Sequence, residues 1–324
     1  MPDISVLMSV YNGERWIKES IDSVLLQKGV DLEFIIINDG STDNTSYILD
    51  SFDDDRLVII HQENSGLTRA LNRGLGIANG KFIARIDAGD ICMPDRLFKQ
   101  KKFLDDNLEV VLVGSNALLI DENGNEIGKA KYPVTHNGLV ENLENFRSVF
   151  PHSSIFFRKE VIIREGGYNE NFTRSQDYDL YLRLSEKYLL AGVDDYMVKL
   201  RYNPDSMSYC DKGFLQLKMG LSALICYFRR KEKIKDFSRS DEDVWLLFLD
   251  RIDRWLSLKK YKQKREAKIM LRQCRTLFRQ GMFKESLFLF FSCFRKDPTF
   301  LLYRDINLKI PDDIQQFLKS DDIF

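Results

Sequence analysis

Residues 81–90 read KFIARIDAGD, an apolar run that ends in the carboxylates Asp87 and Asp90 with only Ala and Gly between them. The run of Phe, Ile and Ala is typical of a short buried strand. In open α/β sheets, ligands bind beyond the carboxyl ends of the strands. The stretch therefore indicates a functional site, and it raises the question of whether its two acids hold a metal ion.

The segments before this stretch follow the same pattern of strand, turn and helix. Residues 4–10, 34–37 and 57–60 are apolar runs, and helical spacing or a polar turn follows each of them. Short apolar strands that alternate with helices predict an α/β fold with a mostly parallel, twisted sheet and helices on both faces. Three polar groups then lie at strand ends on one edge of the sheet: Tyr11, Asp39 and Asp87.

The second half of the chain changes character. We expect a helix from about Pro94 to Asn107, a strand over 110–116, a hairpin at 121–128 and a helix that starts near Asp177. Beyond residue 210 the spacing of apolar residues is helical to the end of the chain. We therefore predict a first domain over 1–209 and an all-helical C-terminal extension over 210–324.

Charge and cysteine content exclude several classes of protein. The 324 residues carry a net charge of -1, but residues 1–209 carry -10 and residues 210–324 carry +9. The acidic first part argues against a nucleic-acid surface there, because phosphate binding needs clustered Lys and Arg. No apolar run reaches the roughly 18 residues of a membrane span, and the first ten residues lack the charged segment of a signal peptide. The five scattered cysteines, without a CxxC pair, favour a cytoplasmic protein with no disulfide framework.

Two common kinds of active site are not supported by the motifs. The histidines His61, His136 and His152 have neither metal-ligand spacing nor a nucleophile motif beside them. The glycine-rich stretch 74–80 misses the dinucleotide-binding pattern by one residue and ends a helix instead of opening one. A strand-end aromatic and two strand-end acids, with a further acid about 90 residues downstream, suit a nucleotide base, a ribose and a diphosphate beside one general base.

Five blocks of the sequence resemble, in order and spacing, the inverting family 2 glycosyltransferases, which have the GT-A nucleotide-sugar-binding fold. The blocks are SVLMSVYNGERWIKESIDSVLLQ, FIIINDGSTDNT, NSGLTRALNRGLGIANGKFIARIDAGD, PDRLFKQ and SQDYDLYLRL. The resemblance covers about residues 3–209 and does not extend into the tail. It implies transfer of a sugar from a nucleoside-diphosphate sugar, most simply a UDP-sugar, to an acceptor hydroxyl.

The resemblance also implies roles for the donor-binding residues. Tyr11 matches the position that lies against the base, and Asp39 the position that accepts a hydrogen bond from the uracil imide. Arg69 matches a position that faces the diphosphate, where a cation is useful. Asp87 matches the first acid of the Asp-x-Asp signature, with ribose and metal-water contacts. A turn former at Asp39 and a solvated helix surface at Arg69 remain open as alternatives.

An inverting reaction needs a general base for the acceptor hydroxyl. Asp177 matches the acid of the family's Asp-Tyr-Asp-Leu block, and we expect it to be that base. The alternative is that Asp177 only supplies negative charge to the start of a helix. Asp179 lies two residues further on, so it faces away from Asp177 and is expected to be structural.

The expected metal site departs from the family pattern at two positions. The resemblance implies Mn²⁺ or Mg²⁺ held by Asp87 and Asp90, but Gly89 stands where the family has a metal-ligating acid. Asn203 stands where the family often has a histidine. We expect Asp90 to take over coordination, or Arg69 and Arg201 to supply more of the positive charge against the donor diphosphate.

The acceptor side and the tail are less clearly marked. His152 matches a histidine often found beside the acceptor, and a satisfied half-buried histidine is an equal alternative. The chain lacks the Gln-x-x-Arg-Trp block and membrane spans of polymer-forming relatives, so the resemblance implies transfer of one sugar per encounter, in the hexosyl or N-acetylhexosaminyl class. Basic runs at 228–235 and 259–268 predict peripheral contact with the cytoplasmic leaflet, near a lipid-linked saccharide acceptor for cell-surface polysaccharide or glycolipid synthesis. A solvated helix face is the alternative for these runs.

Two other functions stay open from the sequence. The protein could be a nucleotide-sugar-binding module that has lost catalysis, given Gly89 and Asn203. It could also be a nucleotidyltransferase, although the glycine-rich, lysine-bearing N-terminal loop of those enzymes is absent.

Overall fold

The structure is a computed structural model that describes residues 1–203, residues 214–256 and the single positions 284, 287, 290 and 291. The chain divides into two compact units, residues 1–203 and residues 204–324. The predicted boundary between residues 209 and 210 lies outside the described residues.

The first unit alternates strands and helices, as predicted. Its strands are β1 (Ile4–Val10), β2 (Leu32–Asp39), β3 (Leu57–Gln62), β4 (Phe82–Arg85), β5 (Ile91–Cys92), β6 (Val110–Ile120), β7 (Glu126–Ala130), β8 (Phe156–Arg158) and β9 (Leu189–Arg201). Its helices are α1 (Ile17–Leu25), α2 (Thr45–Asp50), α3 (Leu67–Ile77), α4 (Arg96–Asp106), α5 (His136–Glu144), α6 (Lys159–Arg164) and α7 (Gln176–Ser185).

The described strands form one sheet in the order β3-β2-β1-β4-β8-β6-β9-β5, with β7 paired to β6. The neighbours from β3 to β4 pair in parallel, as do β6 and β9. β8 enters the middle of the sheet antiparallel to both β4 and β6. The carboxyl ends of β1, β2 and β4 therefore share one edge of the sheet.

Both faces of the central strands are buried. Alternate residues of β1, including Ile4, Val6 and Met8, belong to the core that also contains Ile17 and Ile21 of α1. On the other face α3 packs closely, since a Cβ added at Gly74 would lie 2.2 Å from Leu7 Cδ1. Burial on both faces explains why β1 and β2 are continuous apolar runs, as expected for parallel strands.

Most predicted elements are confirmed, but strand β9 and the antiparallel pairing within the main sheet were not predicted. The hairpin at 121–128 is confirmed by the antiparallel pairing of β6 with β7. The predicted strand over 110–116 continues to Ile120. The strand β9 was not predicted, and the antiparallel strands make the sheet mixed, although its parallel pairs still include the longest ladders.

The described part of the second unit is helical. It contains α8 (Phe214–Lys231) and α9 (Glu242–Leu256). On α9 the residues Trp245, Phe248 and Ile252 are buried, whereas Leu246 and Leu247 are exposed. The remainder of the predicted helical extension lies outside the described residues.

Candidate functional site

The site is built on the two turns that follow β1 and β2, and these turns are tied together. Asn12 Oδ1 accepts hydrogen bonds from Thr42 N at 2.8 Å and from Thr42 Oγ1 at 3.3 Å. Glu14 Oε2 accepts from Asn44 N at 2.9 Å, and Gly13 N donates to Thr45 Oγ1 at 2.8 Å. The two turns thus form one surface at the carboxyl edge of the sheet.

Tyr11 lies on this surface directly after β1, with 53% of its area exposed. An exposed aromatic ring beside a buried strand end offers a flat apolar face to a ligand. This position is compatible with the predicted contact to a nucleotide base.

Asp39, at the end of β2, is buried and organises the loop that precedes α3. Its Oδ1 accepts hydrogen bonds from Gln62 Nε2, Ser65 N and Ser65 Oγ at 2.6, 2.8 and 3.0 Å. Its Oδ2 accepts from Gly66 N at 2.8 Å. Because Oδ1 already has three donors, a base imide would have to reach Oδ2. The loop-forming role and the predicted base contact are therefore compatible on the same side chain.

Asp87 and Asp90 lie together on a turn after β4, and one hydroxyl contacts both. Ser153 Oγ lies 2.9 Å from Asp87 Oδ2 and also hydrogen-bonds to Asp90 Oδ2. The Asp87 N–H donates to the same Oγ at 3.0 Å. Ser153 belongs to a single 3-10 turn, His152–Ser154, that leads into β8. The antiparallel strand β8 thus brings a third polar side chain to the two acids.

The two acids differ in their protonation. Partial burial opposes ionisation of Asp87, but the charge of Arg85 and the hydrogen bond from the Ser153 hydroxyl hold the pKa of Asp87 below its ordinary value. Burial and the negative charge of Asp87 raise the pKa of Asp90 to about 7. A pair of this kind favours a proton or a cation between its members at neutral pH.

Two fully buried arginines lie behind the acids. Arg85 forms an ion pair with Asp87, and its Nη1 donates to Leu7 O at 3.3 Å. Arg96 Nη2 donates to the backbone oxygens of Arg85 and Ile155 at 2.9 and 3.2 Å. Gln100 Nε2 donates to Ser154 O at 2.8 Å. The block PDRLFKQ therefore supports the segment that carries Ser153.

The turn 87–90 needs the glycine that breaks the family pattern. Gly89 has φ +102°, a conformation that L side chains rarely adopt. Its N–H donates to Ser20 Oγ at 2.9 Å, and its carbonyl accepts from Arg201 Nε at 2.9 Å. The departure from an acid at this position therefore has a backbone cause.

Arg201 holds this turn from the end of β9. Its N–H donates to Asp90 Oδ1 at 2.9 Å, and Nη1 donates to the carbonyls of Asp121 and Glu122 at 3.2 and 3.1 Å. Nη2 forms an ion pair with Glu19, and the side chain is 2% exposed. The guanidinium is thus engaged by the protein itself, which favours a positioning role over the predicted direct contact with the donor. Asn203 follows β9 by two residues and is half-buried.

Asp177 lies at the start of α7, as predicted. Its Oδ1 accepts from Tyr178 N at 2.9 Å. Burial, together with the negative charge of Asp87, raises the pKa of Asp177 to about 6. A carboxylate with this pKa is ionised at neutral pH and is more basic than an ordinary aspartate. The preceding Ser175 has φ +56°, so the chain enters the helix through a left-handed residue.

Asp179 has the structural role expected from its spacing. It is fully buried and pairs with Arg183 Nε at 2.8 Å. Arg183 in turn donates to the carbonyls of Glu165 and Gly167 at 2.9 and 2.8 Å. The pair fastens α7 to the glycine-rich turn before it.

His152 lies beside the acids but is satisfied within the protein. Its Nε2 lies 2.8 Å from the Tyr168 hydroxyl. Burial and the charge of Arg85 lower the pKa of His152 to about 3, so the ring is neutral at pH 7. The structure thus places His152 near the reacting groups and satisfies it there, which is compatible with both alternatives that the sequence left open.

Arg69 lies on the first turn of α3 and is exposed. Its Nε lies 3.2 Å from Glu170 Oε2, and both side chains are more than half exposed. Asn72 Nδ2 donates to Tyr168 O at 2.8 Å and joins the same loop to α3. A phosphate could compete with Glu170 for Arg69, because exposed ion pairs are weak.

The carboxylates suit a hard divalent ion that also binds a diphosphate. Mg²⁺ is commonly held by one or two carboxylates together with substrate phosphates, and Asp87 and Asp90 supply two. In the part of the chain that the structure describes, no group of three or more His, Cys, Asp and Glu side chains is placed to hold a metal. The two acids therefore fit a metal that is shared with the donor and do not form a closed cage.

Three contributors to the site were missed at the level of sequence. Arg85 stands only two residues before Asp87 but was not chosen, whereas Ser153 and Trp16 have no spacing signal, because only the fold brings Ser153 to the acids and Trp16 to Arg201. Trp16 Nε1 donates to Glu122 O at 3.1 Å, and the guanidinium carbons of Arg15 and Arg201 lie 4.5 and 5.4 Å from its ring centroid. In the sequence, only the glycine at position 89 indicated an unusual turn, because it lies between two acids.

Comparison with known proteins agrees with this geometry. The profile described as glycosyl transferase family 2 matches residues 5–170, about half of the chain. The chain belongs to this family. It is therefore a glycosyltransferase.

The chain matches most of the length of several curated relatives. It is 38% identical over 184 residues to the O-antigen biosynthesis glycosyltransferase WbnJ of Escherichia coli, covering 56% of this chain and 71% of that protein. It is 30% identical over 210 residues to the amylovoran biosynthesis glycosyltransferase AmsE of Erwinia amylovora, covering 63% and 78%. It is 33% identical over 206 residues to an uncharacterised glycosyltransferase of Methanocaldococcus jannaschii, covering 62% and 71%.

The fold is also that of known glycosyltransferase structures. The crystal structure of S. aureus TarS, residues 1–349, in complex with UDP-GlcNAc superimposes with a TM-score of 0.60 at 15% identity and covers 93% of both chains. The predicted GT-A fold, a sheet flanked by helices, is confirmed by this likeness.

Proposed function

We propose that this glycosyltransferase is inverting and moves one sugar from a nucleoside-diphosphate sugar to an acceptor hydroxyl. The observation that carries the proposal is the placement of Asp177, a carboxylate with a pKa raised to about 6, within the electrostatic reach of Asp87. A base and a donor-binding acid close enough to interact electrostatically are two groups that an inverting transfer requires.

In the proposed step Asp177 accepts the proton of the acceptor hydroxyl. The hydroxyl oxygen forms a bond to the anomeric carbon, while the bond from that carbon to the diphosphate oxygen breaks. The electron pair of the broken bond leaves with the diphosphate, and the configuration at carbon inverts because the hydroxyl attacks from the face opposite the diphosphate. Asp177 is well suited to this task, because a raised pKa increases its basicity while leaving it ionised at neutral pH.

The donor is proposed to be a UDP-sugar. Tyr11 presents an exposed ring for the base, and Asp39 Oδ2, which accepts a hydrogen bond from Gly66 N, would also accept the imide N–H. Asp87 would contact the ribose, and Arg69 would face the diphosphate. The UDP-GlcNAc complex of TarS supports a uridine donor by analogy of fold.

Asp87 and Asp90 would hold a divalent ion together with the diphosphate. When bound, Mn²⁺ or Mg²⁺ would neutralise the charge that develops on the leaving group. Arg85 keeps Asp87 ionised for this purpose, and Arg201 keeps Asp90 in place through its backbone N–H.

The acceptor is proposed to be a saccharide in cell-surface polysaccharide synthesis. The relatives WbnJ and AmsE, which are named for O-antigen and amylovoran biosynthesis, support this class of product. A hexosyl or N-acetylhexosaminyl donor, a lipid-linked acceptor and a site on the cytoplasmic leaflet remain parts of the same proposal. We also propose that His152, whose Nε2 lies 2.8 Å from the Tyr168 hydroxyl, lines the acceptor side.

The test is a screen of the full chain against radiolabelled nucleotide sugars, with and without EDTA. We expect turnover of at least one UDP-sugar, loss of turnover in EDTA and its return with Mn²⁺. The anomeric configuration of the product, measured by NMR, reports inversion. Binding of UDP-sugars without any turnover or hydrolysis would instead identify the protein as an inactive binding module.

A further inference from the structure

We propose that Ser153 supplies a third protein oxygen to the divalent-ion site, to which Gly89 contributes no side chain. The inference rests on the proposed function, since it concerns the ion that Asp87 and Asp90 would hold. It changes the expected ligand set from two acids to two acids and a hydroxyl from a distant part of the chain.

The first argument is the spacing of the three oxygens. Ser153 Oγ lies 2.9 Å from Asp87 Oδ2 and is in hydrogen-bonding contact with Asp90 Oδ2. Neighbouring ligands in an octahedral Mg²⁺ site, each 2.0–2.1 Å from the metal, lie about 2.9 Å apart. The Ser153 hydroxyl oxygen thus already lies at the distance from Asp87 Oδ2 that two neighbouring ligands of one ion have.

The second argument is the number of protons and lone pairs. A serine hydroxyl has one proton and two lone pairs. Here one lone pair accepts the Asp87 N–H, and the single proton can be donated to only one of the two carboxylates at a time. When both acids are ionised, one of the two oxygen–oxygen contacts lacks a proton. A cation shared by the three oxygens would remove that repulsion, and serine and threonine hydroxyls are known Mg²⁺ ligands.

The third argument is that the rigid position belongs to Ser153 and not to residue 89. Gly89 has φ +102°, so a side chain there would strain the turn. Ser153 is 1% exposed, and the segment that follows it is held by Arg96 and Gln100 through the carbonyls of Ile155 and Ser154. Such support is what a metal ligand needs, because precise placement depends on the groups behind it.

The test uses a change of metal preference. Thiols favour soft cations, and hydroxyls favour hard ones. In Ser153→Cys we expect Mn²⁺ affinity in the presence of UDP to fall about tenfold or more, and Cd²⁺ affinity to rise by a similar factor. Both would be measured on the full chain by titration calorimetry, with UDP and metal alone as the blank. A residue that only positions the acids would lose Mn²⁺ affinity without gaining Cd²⁺ affinity.

The matched control is Ser5→Cys. Ser5 is also fully buried, and its hydroxyl contacts Glu33 and Gly80 N at the opposite end of β1. We expect this variant to keep wild-type affinity for both metals. If Ser153→Cys does not fold, Ser153→Ala serves instead, with an expected loss of Mn²⁺ affinity of about tenfold.

Two outcomes would overturn the inference, and they can be distinguished. Wild-type Mn²⁺ and Cd²⁺ affinities in Ser153→Cys, or wild-type Mn²⁺ affinity in Ser153→Ala, would remove Ser153 from the ligand set and leave the proposed function untouched. A wild-type chain that transfers sugar and binds UDP but no divalent ion would remove the metal site as a whole while the transferase activity stands.

Discussion

Three aspartates at one end of the sheet have different environments, and the differences come from named neighbours. Arg85 keeps Asp87 ionised, whereas burial and the charge of Asp87 raise the pKa values of Asp90 and Asp177 to about 7 and about 6. Since carboxylates with shifted pKa values tend to have separate chemical roles, this arrangement favours one donor-binding acid and one base.

The pKa of Asp177 predicts the pH dependence of transfer. The base must be ionised to accept a proton, so kcat/KM should fall about tenfold per pH unit below about pH 6 and level off above it. Asp177→Asn should lower kcat roughly 100- to 10,000-fold and remove this limb of the profile. Initial rates across the pH range, with UDP binding measured in parallel, provide the check.

Glu186→Gln is the control for this prediction, because Glu186 is an exposed acid at the end of the same helix. It should leave the profile unchanged. Wild-type kcat in Asp177→Asn would show that another group acts as the base.

The backbone of Gly89 predicts a stability cost. Gly89→Ala should lower the free energy of unfolding by about 1–2 kcal/mol, because an L residue at φ +102° is strained although the nearest atom to the new Cβ, Trp16 Cε3, is 3.7 Å away. Gly76→Ala is the control. Gly76 lies in α3 with open space around its Cα, and alanine there should raise stability by about 0.5–1 kcal/mol. Denaturant unfolding measures both, and equal effects of the two changes would contradict the argument.

The sequence allowed Asp87 and Asp177 to be chosen as candidates, but not Ser153 or Arg85. An acid at the end of an apolar strand is seldom needed for packing, and the family blocks select Asp177. Ser153 is an ordinary residue in the sequence and gains its role only because β8 runs antiparallel beside β4. The hydrogen bonds of Ser153 with Asp90 and Asp87 join residues 63 and 66 positions apart, so no short sequence motif indicates them.

Among the elements, the strands that are buried on both faces were the easiest to predict. β1 and the hairpin of β6 and β7 follow directly from apolar runs and an Asn-Gly turn. β9 was missed because Asp194 and Asp195 interrupt its apolar pattern. The register between β6 and β9 shifts next to this point, between Ser115 and Asn116, so the interruption corresponds to an irregularity in the ladder.

The ion pair of α7 predicts a large effect of one substitution. Asp179→Ala leaves Arg183 buried without its charge partner and should lower the free energy of unfolding by about 3–5 kcal/mol. The comparison is Asp106→Ala, which breaks the exposed pair with Lys102 at the same i,i+4 spacing. That change should cost no more than about 0.5 kcal/mol. Chemical denaturation measures the free energy of unfolding of both variants. A small loss in Asp179→Ala would mean that the turn 165–167 is held by other contacts.

For the molecule as a whole, the separation of charge is the main feature outside the site. Residues 1–209 carry -10 and residues 210–324 carry +9. No helix among the described residues is long and apolar enough to cross a bilayer. The basic residues of 210–324 can attract an anionic surface.

This separation predicts binding to anionic vesicles. The full chain should float with vesicles that contain phosphatidylserine and not with neutral ones, and binding should weaken as salt rises. Replacing four lysines of the basic run 259–268 with glutamine should reduce partitioning onto the vesicles roughly 100-fold or more, because each lysine contributes about 1 kcal/mol of attraction. The four are Lys259, Lys260, Lys262 and Lys264.

The control changes the same amount of charge in the first unit. Four of its exposed lysines are replaced by glutamine, namely Lys18, Lys102, Lys129 and Lys131. This variant should partition like the wild type. Equal losses in the two variants would show a response to net charge only, and the basic run would then have no special part in it.

The hydrogen bond from Arg201 to Asp90 spans 111 positions, and this has a consequence for synthesis on the ribosome. Strands β1 to β4 can pair as soon as they emerge, because their partners are close in sequence. The turn that carries Asp87 and Asp90 must wait until β8 and finally the last residue of β9 have been made. Nascent chains shorter than about 200 residues would therefore have the parallel strands β1 to β4 paired but no transferase activity. Activity should appear only when the chain has been synthesised through Arg201.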